Sequence, residues 1–198
     1  MIQVIFASRN KGKIEEVSEM LKDVNIKLYS LLGMDDSLKI IESGTTFDEN
    51  AKIKAVEVYN AFRIPAIGDD SGLAVDQLNG RPGVYSSRYA GENATDEENN
   101  EKLLMELQNF PEPHFAKFVC SAVYYDGKNF INTYGEMKGR IINSPHGENG
   151  FGYDPLFLPE GYSKTTAEIG LEEKNKISHR SIAFNKLKDL IKKSLERS

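Results

Sequence analysis

TFDENAKIKAVEVYNAFRIPAIGDDSGLAV, residues 46 to 75, holds the signals that decide the fold. Thr46-Phe47-Asp48-Glu49 has the spacing of a capping box, in which a hydroxyl and a carboxylate close the first backbone N–H groups of a helix. Ala51, Ala55, Val58, Tyr59 and Phe62 recur on one helical face behind it, which predicts a helix from about Thr46 to Phe62. Pro65-Ala66-Ile67 and Leu73-Ala74-Val75 are short apolar runs on either side of Asp69-Asp70. The acidic pair is therefore expected at a break or bend between two short strands.

The same alternation continues outward in both directions. Ile2 to Ala7 is a β-branched and aromatic run, Ser8 to Lys13 is polar, and Ile14, Val17, Met20 and Leu21 then recur at helical spacing. Thr95-Asp96-Glu97-Glu98 repeats the capping box ahead of Leu103, Leu104 and Leu107. Phe115 to Tyr125 alternates as a strand and turns at Asp126-Gly127 into a second one, a long hairpin. Near Ser178 a last amphipathic helix begins, with Ala183, Leu187, Leu190, Ile191 and Leu195 on one face and lysines on the other. Alternating elements with a hairpin predict an α/β fold on a mixed sheet.

The chain of 198 residues is 39% hydrophobic and 28% charged, has no linker-like tract, and reads as one domain over residues 1–198. No apolar run approaches the roughly 20 residues of a membrane span, so no membrane partner and a cytoplasmic location are expected. The net charge of −5 argues against a nucleic-acid backbone as partner but not against a small anion met by local cations or a metal ion. The single cysteine, Cys120, sits in a strand-like apolar run with nothing basic beside it, which reads as a buried structural residue.

Four polar segments interrupt the pattern. Ser8-Arg9-Asn10-Lys11-Gly12-Lys13 puts cations at a strand-to-helix junction, where free N–H groups and lysines form an anion site; the plainer reading is a solvated turn. Gly68-Asp69-Asp70-Ser71-Gly72 holds adjacent carboxylates whose repulsion a divalent cation relieves, or else a turn whose aspartates cap backbone N–H groups; Glu42 is a candidate third acid. Gly147 to Pro155 combines glycines with Phe151 and Tyr153, rings able to stack on a base or to close the core. Lys174 precedes Ser178-His179-Arg180, where Ser178 can cap a helix whose dipole disfavours the cations behind it, which suggests a task for them outside the helix. Together the segments supply the parts of a nucleotide phosphohydrolase.

Five motifs in this order, Ser8-x-Asn10-x-x-Lys13, Thr46-Phe47-x-Glu49-Asn50-Ala51, Asp69-Asp70-Ser71-Gly72-Leu73, Gly150-Phe151-Gly152-Tyr153-Asp154-Pro155 and Glu173-Lys174-x-x-x-Ser178-His179-Arg180, resemble the inosine/xanthosine triphosphate pyrophosphatase, or Ham1-like, family. The resemblance implies a long mixed sheet with flanking helices, two lobes around a central active-site cleft, and a homodimer. It also implies hydrolysis of ITP, dITP and XTP to the monophosphate and pyrophosphate. By the same resemblance Ser8, Arg9, Asn10, Lys11, Gly12 and Lys13 hold phosphates, Glu42 and Asp70 bind Mg2+, and Asp70 is the base on the attacking water. Ser71, Phe151, Gly152, Tyr153, Asp154, Lys174, His179 and Arg180 are implied to surround phosphate, sugar and base. His179 and Arg180 can donate to a 6-keto oxygen, and a buried polar mismatch with a 6-amino purine changes specificity by up to about 10⁴-fold. Two rivals stand beside this reading: a pyrophosphatase of broader nucleotide specificity, and a regulator that binds nucleotide without cutting it.

Overall fold

The expected alternation appears in the computed structural model, which describes residues 1–34 and 38–195. Six strands form one sheet in the order β2-β1-β3-β4-β5-β6, with β1 Ile2–Phe6, β2 Ile26–Ser30, β3 Ala66–Val75, β4 His114–Tyr125, β5 Phe130–Ile141 and β6 Phe157–Pro159. β1 pairs in parallel with β2 and β3, and β5 pairs antiparallel with β6, so the sheet is mixed. The helices are α1 Lys11–Leu21, α2 Phe47–Phe62, α3 Asp96–Leu107, α4 Leu171–Ile177 and α5 His179–Leu195. None of the described helices is long and apolar enough to cross a membrane.

Both capping boxes form. The Thr46 hydroxyl accepts from the Glu49 N–H at 3.2 Å while the Glu49 carboxylate accepts from the Thr46 N–H at 3.1 Å. Thr95 and Glu98 do the same for α3. Arg63 ends α2 in the left-handed conformation, at φ 56°, with its N–H on the Tyr59 carbonyl.

The chain divides into two compact units. The first comprises Met1–Asp70, Cys120–Gly135 and Arg180–Ser198. In it α1 and α5 cover one face of the sheet: Val17, Met20, Leu21, Ala183, Phe184, Leu187 and Ile191 pack on Val4, Phe6 and Ile67. α2 covers the other face, with Val58 against Ile5, Ala7 and Ala66, and Ala51 and Ala55 against Val123. The second unit, Ser71–Val119 and Glu136–His179, has its own core, in which Leu103 and Leu107 of α3 meet Leu73, Val75, Phe118, Met137, Tyr153 and Phe157.

Three local expectations change. No break divides the strand at Asp69-Asp70: β3 runs unbroken through both acids, and its flanking glycines mark close approaches rather than a turn. A Cβ on Gly68 would stand 2.1 Å from the Ala51 carbonyl oxygen, and one on Gly72 would stand 2.4 Å from that of Gly83. β4 alternates only at its start, because from Phe118 to Tyr124 it is an inner strand covered on both faces. In α5 it is Phe184 that enters the core while Leu190 is 41% exposed; the side chain of Leu195 lies outside the described residues.

Candidate active site

Asp69 and Asp70 are adjacent on β3, so their side chains leave opposite faces of the sheet. Asp69 points to the α1 and α5 face. Its two oxygens each accept from Lys13 Nζ at 3.0 Å, and Oδ2 also faces Arg180 Nε at 3.4 Å. Arg180 in turn donates through Nη1 to Glu16. Lys13 reaches in from the first turn of α1, and Arg180 from the first turn of α5, which answers why cations sit at an unfavourable helix start. Burial alone would raise the Asp69 pKa, but the charges of Lys13, Arg180 and Lys54 outweigh it and hold the carboxyl well below its ordinary 3.8.

Asp70 points to the α2 face. Asn50 Nδ2 donates to one of its oxygens at 3.1 Å, and Lys54 Nζ donates to the other at 3.1 Å. The same Lys54 Nζ lies 3.1 Å from Glu42 Oε1, so one ammonium bridges two carboxylates. The Asn50 carbonyl oxygen accepts the Gly44 N–H at 2.8 Å, which ties the loop that carries Glu42 to the helix that carries Lys54. Burial raises the Asp70 pKa, with Lys54 and Lys13 offsetting part of the rise and Glu42 adding to it, and the net movement is upward. The strand's period of two thus separates a firmly ionised acid from a more basic one.

The segment before α1 has the predicted strand-to-helix geometry. Asn10 is the N-cap, its side-chain oxygen accepting the Lys13 N–H at 3.0 Å, and Ser8 Oγ accepts the Asn10 N–H at 3.2 Å. Arg9 donates to the Leu38 carbonyl at 3.4 Å, while Lys11 is exposed and Gly12 stands in the first turn. The helix start carries no acid, which leaves its positive end uncompensated.

In the second unit the glycine–aromatic segment is built around Asp154 and Lys174. Lys174 of α4, although a lysine, is 3% exposed and donates to Asp154 Oδ2 at 2.6 Å. The same carboxylate oxygen accepts the Phe151 N–H at 2.9 Å, and Lys174 Nζ lies 5.0 Å from the centre of the Phe151 ring. Gly150 adopts φ +81°, and a Cβ there would stand 2.1 Å from Asp154 Oδ2. Gly152 donates its N–H to Asp96 at 2.6 Å and accepts from Asn100 at 3.0 Å, so α3 fixes the tip of the segment. Tyr153 is a core residue whose hydroxyl donates to the Ser86 carbonyl at 2.8 Å, whereas Phe151 is half-buried. The His179 ring stacks on Phe118 with centroids 4.9 Å apart and planes 13° from parallel. Ser71 is half-buried on β3 just past Asp70.

The predicted residues therefore gather in two groups, each in its own unit: Lys13, Glu42, Asp70 and Arg180 in the first, and Phe151 to Asp154 with Lys174 in the second. Sequence reasoning assigned no task to Asn50, Lys54 or Glu16. The signal was present: Asn50 and Lys54 fall in the same helical stripe as Ala51, Ala55 and Val58, and Glu16 adjoins Val17 on the buried face of α1. A polar residue in an apolar stripe needs a buried partner.

Glu42 and Asp70 already serve as a set of hard oxygen donors to one cation, the Lys54 ammonium. Among the described residues no three His, Cys, Asp or Glu side chains converge as a metal-binding group. Two carboxylates with the remaining positions left to water and phosphate oxygens match the ligand habit of magnesium.

Comparison with known proteins bears on the fold and the family. A protein from Geobacter sulfurreducens named "dITP/XTP pyrophosphatase" is 47% identical over 191 residues, which is 96% of each chain. A solved structure of a HAM1 protein from Coxiella burnetii superposes with a TM-score of 0.89 at 39% identity, over 98% of this chain and 100% of that one. The Ham1 protein of Staphylococcus aureus gives 0.86 at 38% identity, over 97% and 99%. The Ham1 family matches residues 4–190, which takes in every motif quoted above, and with relatives this similar along their whole length the chain belongs to that family.

Proposed function

We propose that this protein is a magnesium-dependent nucleoside-triphosphate pyrophosphatase that hydrolyses ITP, dITP and XTP to the monophosphate and pyrophosphate, keeping deaminated purines out of nucleic acid. The observation that carries the reading is the sorting of two adjacent acids by one strand, with Asp70 joined to Glu42 through a shared cation. The printed name of the Geobacter sulfurreducens relative supports the substrate class.

Asp70 accepts a proton from water at a carboxylate oxygen as that water attacks the α phosphorus. The bond from the α phosphorus to the bridging oxygen breaks, and its electron pair leaves on pyrophosphate. Asp70 suits this task because burial raises its proton affinity, whereas Asp69, held ionised by Lys13 and Arg180, acts as an anchor. Lys13, Ser8 to Gly12 and the positive end of the α1 dipole hold phosphates. Glu42 and Asp70 would hold the magnesium ion, which when bound polarises phosphate oxygens and offsets charge on the leaving group.

Ser71, Gly152 and Phe151 contact the nucleotide, with Phe151 as the stacking ring, because the Tyr153 ring is committed to the core. Tyr153, Asp154 and Lys174 hold that segment in shape. His179 donates to the 6-keto oxygen; Arg180, with Nε and Nη1 already in ion pairs, fixes the helix start from which His179 extends. The enzyme acts in the cytoplasm on free nucleotides, as a single domain and as a homodimer.

The test is pyrophosphate release from ITP, XTP, GTP and ATP by purified protein, with Mg2+ and with a chelator. Metal-dependent release largely confined to ITP and XTP is expected. Equal cleavage of all four would leave a pyrophosphatase of broader specificity, and no release with any of them would overturn the reading.

A further inference from the structure

Lys54 has no task in the chemistry above, yet it occupies the point on which that chemistry converges. Its side chain is 9% exposed, and its ammonium stands 3.1 Å from Glu42 Oε1 and 3.1 Å from Asp70 Oδ1. The second Asp70 oxygen is taken by Asn50, whose own carbonyl oxygen is taken by Gly44. The carboxylate pair is therefore held as a preformed clamp, and the clamp is closed on an internal cation.

A divalent ion needs carboxylate oxygens at roughly 2.1 Å and draws them together. An ammonium between the same two oxygens blocks that approach, and two cations side by side in a buried site repel strongly. We propose that Lys54 is the resident counter-ion of the Glu42–Asp70 pair, which a divalent metal must displace, and that the anionic phosphates of the nucleotide receive the displaced ammonium. The inference rests on the reading that these two carboxylates hold the metal. Metal and nucleotide then bind with positive coupling, each raising the affinity for the other by the same factor. A nucleotide-free protein keeps its clamp shut against divalent ions, which guards the general base from idle metal loading.

Mn2+ is the probe, with free ion counted by electron paramagnetic resonance. It is titrated into wild type, Lys54→Gln and Lys54→Arg, each alone and with an inosine triphosphate analogue whose α–β bridging oxygen is replaced by CH2. Phosphate oxygens that ligate the metal add coupling in every protein, so the inference stands on the difference between them. Lys54→Gln should bind Mn2+ alone about tenfold or more tighter than wild type and show correspondingly less coupling to the analogue, whereas Lys54→Arg, which keeps the cation, should stay weak. Lys54→Met serves in place of the glutamine variant if thermal melting shows that the latter does not fold. Mn2+ affinity in the neutral variant no greater than in wild type overturns the inference. If wild type still releases pyrophosphate in a metal-dependent way in that case, the proposed function survives its loss; if neither Mn2+ binding nor metal-dependent release occurs in any variant, both fall.

Discussion

Asp69 and Asp70 differ because the residue-level surroundings of two neighbours on a strand share almost nothing. Asp70→Asn keeps the shape but removes the proton acceptor, so turnover should fall about 10²–10⁴-fold, with a smaller loss of melting temperature than Asp69→Asn because Glu42 still pairs Lys54. Asp69→Asn should do the reverse, because it strands the buried charges of Lys13 and Arg180; removing one partner of such a network costs about 3–5 kcal/mol, read as a melting temperature lower by roughly 10 °C. The pH dependence follows in sign. A carboxyl whose folded pKa lies below its ordinary 3.8 contributes stability that is complete above that value and is lost as the pH falls beneath it. Wild type should therefore lose stability on acidification below about 3.8 more steeply than Asp69→Asn, as urea unfolding across that range would record. Cys120 gives an independent check on the same environment. Its thiol is buried, lies 4.0 Å from Asp69 Oδ2, and is pushed up to about 12 by burial with the Asp69 charge adding. Native protein should leave a disulfide reagent unreacted at neutral pH, and the same thiol should react fully once the chain is unfolded.

At the scale of elements, what could be read in the sequence was what is encoded locally. Both capping boxes, the hairpin at Asp126-Gly127 and the strand-to-helix junction at Asn10 depend on residues within a few positions of one another, and all four form. The run through Gly68-Asp69-Asp70-Ser71-Gly72 reads as a turn because glycine and aspartate are turn residues. Its real determinants are distant in sequence: α2 passes so close that only glycine fits at 68, and the acids are satisfied by Lys13, Lys54 and Arg180. The tasks of Asn50, Lys54 and Glu16 were hidden for the same reason, since a buried polar residue is explained only by a partner the local pattern does not name. Gly68→Ala tests this account of β3. The added methyl would stand 2.1 Å from the Ala51 carbonyl oxygen and 2.8 Å from the Ala55 nitrogen, both main-chain atoms, so α2 must shift rather than a side chain turn. Overpacking of this kind costs about 1–3 kcal/mol. Because α2 carries Asn50 and Lys54, the variant should lose pyrophosphate release out of proportion to its fall in melting temperature. Unchanged melting and activity would show that β3 and α2 are not in the close contact described.

For the whole molecule, the two units have separate hydrophobic cores, but neither owns all of its strands. β3 begins in the first unit and ends in the second, and the division falls between Asp70 and Ser71. β4 passes from the second to the first between Val119 and Cys120, and β5 returns between Gly135 and Glu136. A strand pays the entropy of ordering along its whole length, so a unit that unfolds alone leaves its neighbour with half-strands that end without a loop. Loss of either core should therefore unfold the other. A single calorimetric transition is expected, with calorimetric and van't Hoff enthalpies in agreement near the roughly 140 kcal/mol usual for a chain of this length around 60 °C. Leu103→Ala, deep in the second core, should lower that one transition by the about 2–5 kcal/mol of a buried leucine rather than split it. Two separable transitions, one moved by Leu103→Ala and one moved by Leu187→Ala, would instead mark the units as independent domains joined only by shared chain.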